Sequence, residues 1–199
     1  MTLELWSSQL GLALGIFVLL PLRNRSRSLQ LAVLLALLAL GLVPVQGLPL
    51  VAYPRALVPE LSIVALVALG WVALVRAGLA QPLPASQRVT LYLLFGALGL
   101  LLYPAALGLG PLDPYGWGYG PRTMLVVLGL LALLLLYLGH RLAVAMLALA
   151  TLAFALGLLA SENYWDYLLD PLVVIYCWLA LLVAGARRLW SARSRPLAD

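Results

Sequence analysis

The sequence predicts an all-α fold, a polytopic bundle of transmembrane helices, and three observations predict it. The chain is 65% apolar and only 10% charged, where soluble domains average about 45–50% and about 25%. Its apolar residues fall into long runs, each close to the roughly 20 residues that a helix needs to cross a hydrocarbon core about 30 Å thick. All twelve basic residues are arginine, and they distribute unequally between the connections. Transmembrane barrels are excluded, because their strands alternate apolar and polar over about ten residues. Runs such as 31–43 do not alternate.

Seven spans are expected, with six as the fallback, in a single transmembrane domain over residues 1–199. The first, Trp6–Leu22, is short and carries Gly11 and Gly15, a pair that lets another backbone approach closely. The second, Leu29–Leu50, is long enough to tilt, with Pro44 and Gly47 near one end. Pro54 and Pro59 bracket the next connection, and Pro59 suits the first turn of the third span, Leu57–Val75. Gln81-Pro82-Leu83-Pro84 stiffens the connection to the fourth span, Val89–Leu107, which holds Pro104 near its end. Thr123–Gly139 and Leu142–Ala160 are separated only by His140 and Arg141. As one helix they would be roughly 57 Å long at 1.5 Å per residue, nearly twice the membrane, so a tight hairpin is expected there. Leu168–Ala186 is the seventh span, and residues 187–199 form a short basic tail.

The arginines orient this array. With odd-numbered connections in the cytoplasm, that side receives ten of them, Arg23, Arg25, Arg27, Arg76, Arg88, Arg141, Arg187, Arg188, Arg193 and Arg195. Only Arg55 and Arg122 remain outside. Positive residues in short loops resist translocation, so the N-terminus is expected outside and the C-terminus in the cytoplasm, in a cell inner membrane. The first span lacks the basic leader of a cleaved signal peptide and reads as a retained anchor. Arg187, Arg188, Arg193 and Arg195 would attract anionic lipid. No surface remains to dock a nucleic acid.

Several chemistries fall away. No ionisable residue lies deep in a proposed span, as ion-coupled carriers require. No lysine exists to form a retinal Schiff base. His140 is the one histidine, and the zinc-binding helix motif with two histidines is absent. Gly118-Tyr119-Gly120 lacks the Thr-Val lead-in of a potassium filter. Cys177 has no partner for a disulfide.

Two outer segments concentrate the remaining chemistry. Gly110–Arg122 holds Asp113, Tyr115, Trp117, Tyr119 and Arg122, and in an extended conformation its three rings would share one side. Such a strip fits either a sugar ring or the aromatic belt of a bilayer. Ser161–Pro171 holds Glu162, Asp166 and Asp170 at four-residue spacing, which on one helix would align three carboxylates, with Tyr164, Trp165 and Tyr167 between them. Their repulsion calls for an offset by Arg55, Arg122, a cationic ligand or a Ca²⁺ or Mg²⁺ ion. The simpler reading makes Asp170 the cap of the last helix ahead of Pro171.

The two segments are expected to meet, with Arg122 pairing a carboxylate of the second. Without a catalytic constellation, cofactor motif or metal motif, the expected role is a non-catalytic accessory or assembly subunit of a cell-envelope pathway. Its partners would be the lipid bilayer and a membrane protein. Two alternatives stay open: a module that binds or transports a small solute from the outer face, and an enzyme acting on a lipid-linked substrate through the outer carboxylates.

Overall fold

The computed structural model describes residues 5–55 and 60–193. Among them the chain is mostly helical, with one β-hairpin of two two-residue strands. The helices are α1 (Trp6–Leu19), α2 (Arg27–Gly41), α3 (Ala52–Arg55), α4 (Ile63–Arg76), α5 (Ala85–Ala106), α6 (Arg122–Tyr137), α7 (Arg141–Ala155), α8 (Tyr164–Leu168) and α9 (Pro171–Arg193). Strands β1 (Pro44–Val45) and β2 (Leu48–Pro49) pair antiparallel between α2 and α3.

Capping chemistry sets four of the helix starts. Ser26 caps α2 through Leu29 N–H, and Ser62 caps α4 through Ala65 N–H at 3.1 Å. The Asn163 side chain accepts from Trp165 N–H at the start of α8. Asp170 accepts from Val173 N–H at 2.9 Å, with Pro171 at the first helical position. Each side chain satisfies a donor that the first turn leaves without an intrahelical partner. The ends follow an equally local rule. At the end of α6, Gly139 takes φ +77°, its N–H reaches Leu136 C=O, and His140 N–H reaches Leu135 C=O. This paired pattern closes a helix on a left-handed residue, which glycine adopts at no steric cost. It produces the expected Gly-His-Arg hairpin into α7, and α4, α5 and α7 end in the same way.

Several boundaries differ from those expected. The second apolar run stops being helical at Gly41, and residues 44–49 form the hairpin instead. Pro44 and Pro49 supply no N–H to a helix, and Gln46 and Gly47 take positive φ in the turn. The third helix starts only at Ile63, where Ser62 offers a cap. Pro59, expected in its first turn, lies outside the described residues. The last helix starts at Pro171 rather than at Leu168, because Leu169 is extended ahead of the proline, and the residues before it form the separate short α8. Pro104 sits in the final turn of α5, where the helix ends two residues later.

Among the described residues, two helices, Ala85–Ala106 and Pro171–Trp190, are long and apolar enough to cross a membrane. The apolar helices α1, α2, α4, α6 and α7 have 14 to 16 residues. At 1.5 Å per residue these reach about 21–24 Å.

Helix α4 holds a central position, packing on α1, α7 and α8, while α1 also packs on α2, α6 on α7 and α5 on α9. Val174 of α9 lies so close to Gly99 of α5 that a methyl group on that glycine would overlap it, and Trp178 donates to Gly96 C=O at 3.1 Å. The two small residues of α1 behave differently from each other. Gly11 lies against the Leu61 side chain, but Gly15 faces open space.

The connections gather at two ends. One end is rich in arginine: Arg27 reaches Gly78 C=O, Arg76 reaches Leu20 C=O, and Gln87 reaches Gly139 C=O. The opposite, acidic end carries the β-hairpin, α3, α8 and the three-residue turn around Trp117. The Asp170 carboxylate there accepts from Ser62 Oγ at 2.8 Å and Ser62 N–H at 3.1 Å. One buried carboxylate therefore serves the first turns of α4 and α9 together.

Removing that carboxylate leaves three buried donors without their acceptor, so Asp170→Ala should cost about 2–4 kcal/mol. Asp170→Asn, which keeps one carbonyl acceptor, should cost less. Urea unfolding in detergent micelles measures both, and a change at the exposed Glu162 should be near neutral.

Candidate functional site

The acidic end is built by two segments that interlock. In the first, Asp113 Oδ1 accepts from Gly116 N–H at 2.9 Å and draws residues 113–118 into a tight turn. In the second, α8 is preceded by Asn163, which is fully buried. The Asn163 amide donates to Tyr115 C=O at 2.9 Å while its oxygen caps α8. Trp165 Nε1 donates to Pro114 C=O at 2.7 Å. Tyr115 OH donates to Asp166 at 3.1 Å. The two segments thus meet as expected, and Gly118 explains how closely: any Cβ there would run into the Asn163 side chain.

The contacts depart from expectation in three respects. The turn at Gly116–Gly118 is helical rather than extended, so the three rings do not form a one-sided strip. Tyr115 is half-buried, its ring edge-on to Tyr119 at 5.8 Å, while Trp117 and Tyr119 are exposed. Second, α8 is only five residues long, so Glu162, Asp166 and Asp170 do not share a helix face. Glu162 is exposed, Asp166 turns to Tyr115 and Ser161, and Asp170 turns to Ser62. The repulsion expected at four-residue spacing is avoided by breaking the helix. Third, Arg122 is exposed and forms no ion pair with the second segment among the described residues. The pair that forms is Arg55 with Glu60, at 2.7 Å.

The aromatic residues of the second segment are core. Tyr164, Trp165 and Tyr167 are each at most 2% exposed. Tyr164 bonds Thr151 at 2.5 Å and stacks obliquely on Phe154, while Tyr167 OH donates to Leu159 C=O at 3.1 Å. They anchor the loop from below, and α8 closes that end of the bundle as a plug.

Beside this plug opens a cleft of about 700 Å³, lined by Arg55, Glu60, Tyr103, Ser161, Asp166 and Asp170 together with Leu159, Ala160, Leu169 and Pro171. Two of the expected residues, Asp166 and Asp170, line it. Arg55, Glu60, Tyr103 and Ser161 were not singled out as a site by sequence, because they lie far apart along the chain. All three carboxylates already accept protein donors: Asp166 from Tyr115 and Ser161, Asp170 from Ser62 and Val173, and Glu60 from Arg55 and Ala160 N–H. Each retains lone pairs, since a carboxylate offers about four acceptor positions. The Tyr103 hydroxyl is engaged by no protein group among the described residues. No set of three metal-ligating side chains converges among the described residues. A second crevice of about 360 Å³ lies between α5 and α6 under Trp117 and Trp165, and its walls are mostly apolar.

Burial first, and then the Asp166 charge, raise the Tyr115 phenol above its ordinary 10.0. Burial raises Tyr164, with the Thr151 hydrogen bond opposing. A phenol raised in the folded state contributes stability that is present below pH 10 and is lost as pH rises through the folded value.

Ultraviolet titration should therefore show Tyr115 and Tyr164 among the tyrosines that ionise on the alkaline side of pH 10, and Tyr115→Phe should remove one such transition. The same substitution should destabilise the protein by about 1–2 kcal/mol through the lost bond to Asp166. Tyr119→Phe should be close to neutral.

No family model matches this chain, and no curated protein or solved structure is similar to it, so the site stands on its geometry.

Proposed function

We propose that this chain is a multi-pass protein of the cell inner membrane that binds a small, polar, hydroxyl-rich solute in the cleft at its acidic end. The cleft itself carries the reading: in about 700 Å³ of space, charged and hydroxyl-bearing side chains converge among apolar walls at the interlocked end of the bundle. Sites for small molecules are concave, largely preformed and supplied with a few convergent polar groups. Splayed loops would have favoured an assembly subunit; interlocked loops beside a cleft favour a binding module.

Several observations support the membrane topology within this proposal, with seven spans, the acidic end outside and the arginine end in the cytoplasm. The apolar stretches of α5 and α9 are only 22% and 11% buried inside the bundle, unlike core helices of a soluble domain. Exposed leucines cover α6, where Leu130, Leu133, Leu134 and Leu136 are all more than half exposed. The five shorter helices would span with their apolar flanks or by local thinning of the bilayer. The positive-inside rule then orients the two ends.

An enzymatic role has less support, because each cleft carboxylate already spends hydrogen-bond capacity on the fold. The accessory-subunit reading keeps one observation in its favour. Leu107, Leu109, Leu112, Trp117 and Tyr119 are 50% to 78% exposed beside the cleft, an apolar rim that suits a membrane surface or a neighbouring protein.

Two measurements test this reading. In a Cys177→Ser background, Glu162→Cys should react with an impermeant maleimide in intact cells and Arg25→Cys should not; the reverse pattern overturns the orientation. Tyr103→Phe should weaken solute binding by about tenfold without changing the melting temperature, since that hydroxyl supports ligand rather than fold.

A further inference from the structure

Alongside α1 runs a groove of about 390 Å³ whose walls are almost wholly apolar. Ser8, Gly11, Leu12, Gly15, Ile16 and Leu19 line it from one face of that helix. The spacing from Ser8 to Leu19 corresponds to about 16 Å along the axis at 1.5 Å per residue. Val51, Leu61, Leu69 and Leu172 form the opposite walls. The groove stays open because Gly15 has no neighbour within 4 Å of where its Cβ would stand. Arg55 lines both this groove and the polar cleft, and Leu172 of the groove follows Pro171 of the cleft. The apolar groove and the more polar cleft therefore adjoin at Arg55 and the start of α9. The Ser8 hydroxyl is sequestered on the groove wall without a hydrogen-bond partner.

We propose that cleft and groove form one site for a glycolipid, with the sugar headgroup in the cleft and one acyl chain along α1. This rests on the reading of the cleft as a binding site and names its ligand class. A polar head joined to a long apolar tail is the chemistry that fills both compartments. Charge selects the head. The cleft carries Glu60, Asp166 and Asp170 against Arg55 alone, and Arg55 is already paired with Glu60. A phosphate would meet net negative charge with no free cation opposite. Sugar hydroxyls donate to the remaining carboxylate lone pairs and accept from Tyr103.

The test uses the full-length protein in an amine-oxide detergent, with dilauroyl monoglucosyl glycerol, dilauroyl phosphatidylglycerol and maltose as probes. Native mass spectrometry should show one glucolipid retained about tenfold more strongly than phosphatidylglycerol of the same chains. Gly15→Leu and Ile16→Trp should each abolish that preference by filling the groove. They should leave intact the rise in melting temperature produced by maltose in the cleft. Gly129→Leu, on open surface of α6, should behave as wild type. Equal retention of the two lipids, or retention unchanged in both groove variants, overturns the glycolipid assignment; a maltose shift that persists then leaves the cleft reading standing. Absence of any response to maltose or glucolipid overturns both.

Discussion

A single buried carboxylate, Asp170, organises the acidic end of this bundle. Its two oxygens accept from Ser62 N–H and Oγ, and from Val173 N–H, so the starts of α4 and α9 are held at one point although 108 residues separate them. The arrangement is electrostatically sound without a counter-ion. Both helix N-termini present partial positive charge, and each favours a nearby anion. In a chain with few polar side chains, charge-assisted hydrogen bonds of this kind are among the strongest directional contacts available. Leucine and alanine fill space, but they say little about which helix end meets which.

From that point the rest of the acidic end is determined. With α9 started at Pro171, the preceding residues turn back into α8, whose buried Tyr164, Trp165 and Tyr167 seat it on α7 and on the 159–161 loop. Asn163 and Asp166 then catch the Tyr115 turn from two sides. The cleft is the space left between this plug, the end of α5 and the Arg55–Glu60 pair. Its acidic walls are structural and available at once: each carboxylate spends part of its capacity on the fold and keeps the remainder for a ligand.

The arginine end is held differently. Arg27, Arg76 and Gln87 reach exposed or half-exposed backbone carbonyls across the loops. Such contacts contribute modestly, and they tolerate rearrangement. One end is thus rigid and chemically specific, while the other is positively charged and loosely tied. This division suits the proposed binding site at one end and the proposed orientation set by the other.

Sequence alone determined the helical class, the alternation of connections between an acidic and an arginine-rich end, and the Gly-His-Arg hairpin. Those follow from composition, charge placement and the cost of an overlong helix, all local quantities. It also identified 110–122 and 161–171 as the segments that meet, because polar and aromatic residues are scarce elsewhere, and it offered Asp170 ahead of Pro171 as a cap. Helix ends were less legible: apolar runs continue past them, while Ser26 and Ser62 start helices through single cap bonds and the glycines after α4–α7 end them through paired ones. What only tertiary structure decided was which carboxylate meets which donor. Arg55 chose Glu60 rather than Arg122 choosing Asp166, the three tyrosine and tryptophan rings of 164–167 turned inward, and Tyr103 arrived at the cleft from a helix of its own. Apart from the Arg55–Glu60 pair, these contacts join residues more than ten positions apart, set by how helices pack, and one-dimensional spacing carries no information about them.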